Sequence, residues 1–186
     1  MIKRDELTGL YNRSTFYKTF KHVLLKAKQQ QTIAGLLLID LDYFRHINDT
    51  LGHIAGDHLL HVLGKRFQTC FGTNTIIARL GGDEFAVLVK NLESEEQLLA
   101  TAQMAYAQLD QPINYVGNSI SSAMSIGCAI YPRDALNTSN LLKCADIALN
   151  DLKNSGRGGI RMFNQEMCGS LENMTKQLTL ARKIIL

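Results

Sequence analysis

A run of seven small or apolar residues at positions 33–39 constrains the fold of this chain more than any other stretch. The run is too short for a core helix and is followed at once by polar residues, so it predicts a β-strand buried on both faces. A membrane-spanning helix needs about 20 apolar residues, so the run does not predict a membrane span. The chain is therefore expected to build a sheet around this strand.

Helix and strand patterns alternate on either side of the buried strand. Asp57 is expected to cap the N-terminus of one helix, after a loop at 51–56. The order β-α-β-β-α-β predicts an α+β fold of the ferredoxin-like type, with a mainly antiparallel central sheet and helices on one side. Apolar spacing predicts helices at 13–30, 43–50, from 57 onward, 94–109, 139–154 and 170–186, and strands at 75–79, 84–89, 119–130 and 159–163.

Composition and charge exclude several classes of protein. The 186 residues carry 20 Lys and Arg against 17 Asp and Glu, a net charge of +3. This positive excess is too small to predict a nucleic-acid binder, and the sequence shows no stripe of basic residues. The N-terminus lacks the apolar run of a signal peptide, and the four cysteines are scattered without metal-ligand spacing. We expect a cytoplasmic domain without membrane contact of its own, which is compatible with an anchor elsewhere in a larger parent protein.

Two glycines mark the turn between the predicted strands at 75–79 and 84–89. Gly81 and Gly82 precede the acidic pair Asp83 and Glu84. Glycine suits a tight turn because it adopts positive φ at little cost. A turn without side chains also lets a phosphorylated ligand approach the backbone closely. An ordinary hairpin turn is the alternative interpretation.

A second acidic pair, Asp40 and Asp42, directly follows the buried strand. We expect Asp40 to emerge at a sheet edge beside the hairpin that carries Asp83. Two carboxylates and a backbone carbonyl are hard oxygen ligands of the kind that Mg²⁺ prefers. A solvated strand end is the alternative for Asp40 considered alone.

In these motifs and their order the chain resembles the GGDEF domain family, the diguanylate cyclases. The resemblance covers about residues 5–163, and its motifs are far more specific together than the hairpin alone. The matching segments are DELTGLYNR at 5–13, DLDYFRHINDTLGH at 40–53, GD at 56–57, GGDEF at 81–85, SIG at 125–127 and ADIAL at 145–149.

The resemblance implies a role for each of a small set of residues. Asp40 and Asp83, with the backbone carbonyl of Leu41, would hold Mg²⁺, with Mn²⁺ as an alternative ion. Glu84 would position or deprotonate the attacking 3′-hydroxyl. Asn48 and Asp57 would bind guanine, although a turn and a helix cap are their alternative roles. The residues expected against the phosphates and backbone of the nucleotide are Arg45, Gly81, Gly82, Lys153 and Arg157.

The implied activity is the condensation of two GTP into cyclic di-GMP, with release of two pyrophosphates, on a palm-like fold related to nucleotide cyclases and polymerases. The implied partner is a second copy of the chain, because the product is built from two nucleotides. The alternative function is that of a catalytically weak GTP-binding module that regulates an attached EAL phosphodiesterase domain.

Some positions depart from the family pattern. Asn150, Leu152 and Gly158 flank the expected phosphate-binding pair and replace the usual Tyr, Ala and Asn. Many relatives carry an inhibitory product site with the pattern Arg-x-x-Asp, whose positions are Gly72 and Thr75 here. We therefore expect no tight product inhibition through this surface.

Two regions follow from the same reasoning, a GGDEF domain at 1–163 and a C-terminal helix at 164–186. The second resembles the linker that leads into an EAL domain, which suggests a piece of a larger protein with a sensor region upstream. A self-contained C-terminal helix is the alternative.

Overall fold

The computed structural model describes residues 1–169, so the helix expected at 170–186 lies outside the described residues. The helices are α1 (Arg13–Gln30), α2 (Phe44–Leu51), α3 (His53–Cys70), α4 (Glu95–Tyr106) and α5 (Thr138–Asn154), with a short 3-10 helix at Ala107–Leu109. The strands are β1 (Ile33–Asp42), β2 (Thr75–Gly81), β3 (Glu84–Leu92), β4 (Ile113–Tyr115), β5 (Asn118–Ile120), β6 (Ala123–Tyr131) and β7 (Gly159–Met162).

The main sheet has five strands in the order β2-β3-β1-β6-β7. Only β6 and β7 run parallel, and the other neighbours are antiparallel. The predicted α+β fold with a mainly antiparallel sheet is therefore confirmed. β1 is the middle strand, so Asp40 does not lie on a strand at the side of the sheet. Asp40 instead lies near the end of the central strand, paired with Glu84 on one side and Ser125 on the other.

Helices cover both faces of the sheet, so the expectation of helices on one side was wrong. The reason is the apolar run itself, because alternate residues of a strand point to opposite faces and both sets here are apolar. Leu37, Ile39 and Leu41 pack in a core with α3 and α4. Leu36 and Leu38 pack in a second core with α1 and α5. Asp40 follows the second set, so its side chain is directed towards the face that carries α5.

Two local expectations fail for reasons of backbone geometry. Asp57 is not a helix cap, because α3 begins at His53 after Gly52, whose φ is +92°. Gly52 separates α2 from α3, and no side chain caps the start of α3. The strand expected from 119 divides at Ser121–Ser122, and β5 pairs with β4 in a separate hairpin.

No helix within residues 1–169 is both long enough and apolar enough to cross a membrane.

Candidate functional site

Asp40 and Lys153 form an ion pair at the end of the central strand. The Nζ of Lys153, in the last turn of α5, contacts Oδ2 of Asp40. The two side chains are largely shielded, with exposed fractions of 21% and 14% for Lys153 and Asp40. The contact joins residues 113 positions apart, and it depends on the packing of α5 against β1 and β6.

The glycine hairpin lies directly beside this pair. The backbone N–H of Leu41 donates to the carbonyl of Asp83 at 3.2 Å, which joins the hairpin tip to β1. Gly81 and Gly82 have φ of +150° and +45°, and a Cβ at either position would meet nothing within 4 Å. The tip therefore presents open backbone next to the carboxylates of Asp40 and Asp83.

An ion pair holds the hairpin tip from the other side. Arg79 donates from Nε to the carbonyl of Gly82 at 3.0 Å and from Nη1 to Asp5 at 3.1 Å. Both side chains of the pair are mostly buried. Sequence reasoning assigned no role to Asp5 or Arg79 individually, although both lie inside or beside the quoted motifs.

Negative charge is concentrated at this end of the sheet. Burial raises the pKa of the Asp83 carboxyl, and the charge of Asp40 adds to the rise, against a backbone hydrogen bond and the charges of Lys153 and Arg157. Burial also raises the pKa of Glu84, and the negative charges of Asp40 and Asp83 raise it further. A bound cation would relieve this repulsion. Two carboxylates and the nearby Leu41 carbonyl are oxygen donors suited to Mg²⁺, so the residues present fit a divalent ion.

The acidic side chains at the hairpin do not form a complete metal site by themselves. Within residues 1–169 no group of three or more His, Cys, Asp or Glu side chains is close enough to hold a metal alone. Mg²⁺ commonly takes only one or two carboxylates from the protein and fills its shell with phosphate oxygens and water. The donor set at the hairpin is therefore of the kind that phosphate oxygens and water complete.

Asp42 lies deeper than Asp40, although the two are neighbours on the same face of β1. Its side chain is 2% exposed, and its Oδ1 accepts a hydrogen bond from Ser125 Oγ at 2.7 Å. The guanidinium of Arg157 lies 4.0 Å from the same oxygen and 5.5 Å from the ring centroid of Tyr43. The sequence indicated the Asp40–Asp42 pair but not this partition, in which Asp40 faces Lys153 and Asp42 faces Arg157.

Asn48 is held in the second turn of α2, close to the start of α3. Its Oδ1 is buried and has no hydrogen-bond partner. A Cβ at Gly56 would overlap this atom, so the glycine provides the space in which the amide lies. Asp57 follows Gly56 on α3 and is exposed. The structure thus brings Asn48 against the turn of α3 that carries Asp57.

Arg45, a predicted site residue, has a side chain that is almost fully exposed to solvent. Its side chain is 95% exposed and lies 3.9 Å from Asp49, one turn along α2. The fold collects the other predicted residues at the hairpin end of the sheet or on the adjacent α2–α3 segment. It leaves Arg45 on the surface of α2.

The chain matches a known domain family over most of its length. The sequence model described as "Diguanylate cyclase, GGDEF domain" matches residues 2–159. The chain belongs to the GGDEF domain family. The predicted resemblance is thereby confirmed, and membership implies a divalent metal cofactor in general terms.

Relatives of this GGDEF domain include a protein named as a diguanylate cyclase and another named as a cyclic di-GMP phosphodiesterase. Diguanylate cyclase TpbB of Pseudomonas aeruginosa is 38% identical over 159 residues, which is 85% of this chain and 37% of the relative. Cyclic di-GMP phosphodiesterase NbdA of the same organism is 31% identical over 184 residues, which is 99% of this chain and 23% of the relative. The chain thus spans only a minor part of either relative.

A solved structure supports the fold directly. The structure comprising only the GGDEF domain of TpbB from Pseudomonas aeruginosa superposes with a TM-score of 0.88 at 36% identity, covering 91% of this chain and 99% of that one.

Proposed function

We propose that this GGDEF domain is a diguanylate cyclase that condenses two GTP into cyclic di-GMP and releases two pyrophosphates. The observation that carries the proposal is the juxtaposition of Asp40, Asp83 and Lys153 beside an open glycine hairpin. Phosphoryl transfer depends mainly on positioning and on charge neutralisation, and this cluster provides groups for both. Incubation with GTP and Mg²⁺, followed by separation of the nucleotides, tests the proposal.

Each group has a separate task in the proposed reaction. Asp40, Asp83 and the Leu41 carbonyl would hold Mg²⁺, or Mn²⁺, which supplies Lewis-acid neutralisation of the phosphates when bound. Lys153 and Arg157 would bind the phosphates, with Arg45 approaching from the surface of α2. Gly81 and Gly82 would let the nucleotide lie against the hairpin backbone.

Glu84 lies opposite Asp40 in the strand pairing, at the mouth of the site. We assign it to positioning the attacking 3′-hydroxyl or to accepting its proton. The raised pKa of Glu84 brings the carboxyl closer to a proton-accepting range than an isolated glutamate would be.

Asn48 and Asp57 would recognise guanine. A carboxylate can accept from N1–H and N2–H₂ of guanine, which adenine does not offer. The position of Asn48 supports this assignment, because its amide lies against Gly56, which directly precedes Asp57 on α3.

Substitution of Gly56 tests the guanine site without removing a ligand. The added methyl of Gly56→Ala would overlap Asn48 Oδ1 and crowd the Phe44 ring, so the amide must move. We expect GTP binding to weaken by about tenfold, the scale of one lost hydrogen bond to a charged or buried group. Isothermal titration with a GTP analogue measures this, and Gly72→Ala, at a position with open space, is the control. Unchanged affinity would contradict the assignment.

Catalysis is expected to need two chains. Cyclic di-GMP is two-fold symmetric, so two facing half-sites bring each 3′-hydroxyl to the α-phosphate of the other nucleotide. A single domain offers one set of the groups described above.

Dilution tests this requirement. We expect the specific activity of the isolated domain to rise with protein concentration, because mass action sets the fraction of paired chains. Activity and sedimentation are measured over the same concentration range. Constant specific activity in a sample shown to be monomeric would be inconsistent with the two-chain mechanism.

A second candidate function is that of a GTP-binding module regulating an attached EAL phosphodiesterase. It is supported by the match to NbdA, a protein named as a phosphodiesterase, over 99% of this chain. Under this proposal residues 1–163 form the GGDEF domain and 164–186 lead towards the EAL domain, with a sensor region upstream. GTP binding without formation of cyclic di-GMP would favour this function over the cyclase.

A further inference from the structure

The turn after α5, residues 155–159, has an unusual backbone. Gly156, Arg157, Gly158 and Gly159 have φ of +125°, +63°, +70° and +135°. Arg157 is the one residue of these four that is not glycine, and a left-handed conformation is unfavourable for such a residue. Something outside the turn must therefore hold Arg157 in place.

Ser125 provides a direct link to this turn. Its Oγ donates to Asp42 Oδ1 at 2.7 Å and accepts the backbone N–H of Gly158 at 3.0 Å. One fully buried hydroxyl thus connects a buried carboxylate on β1 to the peptide next to Arg157. The donor and acceptor capacities of serine match both bonds.

The buried charge of Asp42 is a second link to Arg157. A buried carboxylate is costly unless it is paired or fully hydrogen-bonded. Oδ2 of Asp42 has no hydrogen-bond partner, and a Cβ at Gly158 would still be 3.8 Å from it. The Arg157 guanidinium, 4.0 Å from Oδ1 and stacked over Tyr43, is the cation that the structure places beside this charge.

We propose that Asp42 and Ser125 are positioning residues that fix the Arg157 turn, and through it the affinity of the site for the triphosphate. This inference rests on the proposed function, in which Arg157 contacts phosphate. Asp42 orients the guanidinium through its charge, and Ser125 fixes the backbone through its hydroxyl. Both side chains are buried, so the effect of each on the nucleotide would pass through Arg157.

A double-mutant cycle separates positioning from simple destabilisation. The probe is a GTP analogue with a methylene group between the α- and β-phosphorus, bound in the presence of Mg²⁺, so that turnover does not enter. We expect Ser125→Ala to weaken binding by about tenfold in the wild-type background. In an Arg157→Ala background the same substitution should change affinity by less than about twofold, because its effect passes through the missing side chain.

Ser122→Ala is the matched control, since it removes a nearby hydroxyl that has no hydrogen-bond partner. Asp42→Asn keeps an acceptor for Ser125 but removes the charge, and it should show the same dependence on Arg157. This variant keeps the test valid if Ser125→Ala does not fold, and thermal melting monitors both. Additive losses in the Arg157→Ala background would overturn the inference alone. Failure of the wild-type chain to bind the analogue would overturn the proposed function as well.

Discussion

Asp83→Ala is expected to reduce the formation of cyclic di-GMP by about a hundred- to a thousandfold, the usual effect of removing one preorganised charge-stabilising group. Asp83 is one of two carboxylates beside the glycine hairpin, and its loss would leave Asp40 already paired with Lys153. The metal ion that would neutralise the phosphates would then lose one of its two carboxylate ligands. The rate is measured from nucleotides separated after incubation with GTP and Mg²⁺.

The fold should survive this substitution. Asp83 lies in the turn between β2 and β3, and its pKa is raised because burial, with the charge of Asp40, outweighs the backbone hydrogen bond and the cations that favour the carboxylate. We expect the melting temperature to stay the same or rise slightly, because the substitution removes repulsion with Asp40. Asp110→Ala, at an exposed carboxylate on another turn, is the control. A near wild-type rate in Asp83→Ala would refute the assignment of Asp83 to the metal.

Cyclic di-GMP is expected to bind the outer surface near β2 more weakly by roughly two to four decades than it binds an Arg-x-x-Asp site. Each charge-assisted hydrogen bond that such a site supplies is worth about 1.5–3 kcal/mol, and about 1.4 kcal/mol is a factor of ten. Gly72 has no side chain, and the hydroxyl of Thr75 is engaged with the carbonyl of Gly72 at 2.7 Å. Neither residue can replace an arginine fork or a carboxylate.

The expected weak binding of cyclic di-GMP can be tested on the wild-type chain and on a variant designed to bind more tightly. Calorimetric titration of cyclic di-GMP into the metal-free protein should show no submicromolar site. The double variant Gly72→Arg, Thr75→Asp should gain affinity, because a side chain at Gly72 would meet nothing within 4 Å. Submicromolar binding to the wild-type chain that Gly72→Trp abolishes would sink the prediction.

Local signals predicted the central elements of the fold well. The apolar run at 33–39 and the glycine pair at 81–82 each dictate structure within a few residues, and β1 and the β2–β3 hairpin are confirmed. The predicted start of α3 at Asp57 was wrong. Gly52 ends α2 through its backbone conformation, and no polar capping residue marks this boundary in the sequence. The covering of both sheet faces was already implied by the apolar run at 33–39, because both sets of its alternate residues are apolar. The expectation of helices on one side came from the order of the elements and did not take this into account.

Part of the candidate site could be predicted from local motifs, and part depends on the tertiary fold. Asp40, Asp83 and the glycines could be named from motifs at strand ends. The contact of Lys153 with Asp40 and that of Ser125 with Asp42 join residues 113 and 83 positions apart, so only the tertiary fold brings them together. Asp42 and Asp40 look equivalent in the sequence, yet their different burial gives them different partners.

Product analysis of the purified chain, supplied with GTP and Mg²⁺ at high protein concentration, distinguishes a cyclase from a domain that only binds GTP. The proposed function predicts cyclic di-GMP, with two pyrophosphates released for each molecule formed, and no corresponding product from ATP. Bound but unconverted GTP at every protein concentration would contradict the cyclase assignment and leave a GTP-binding regulatory domain.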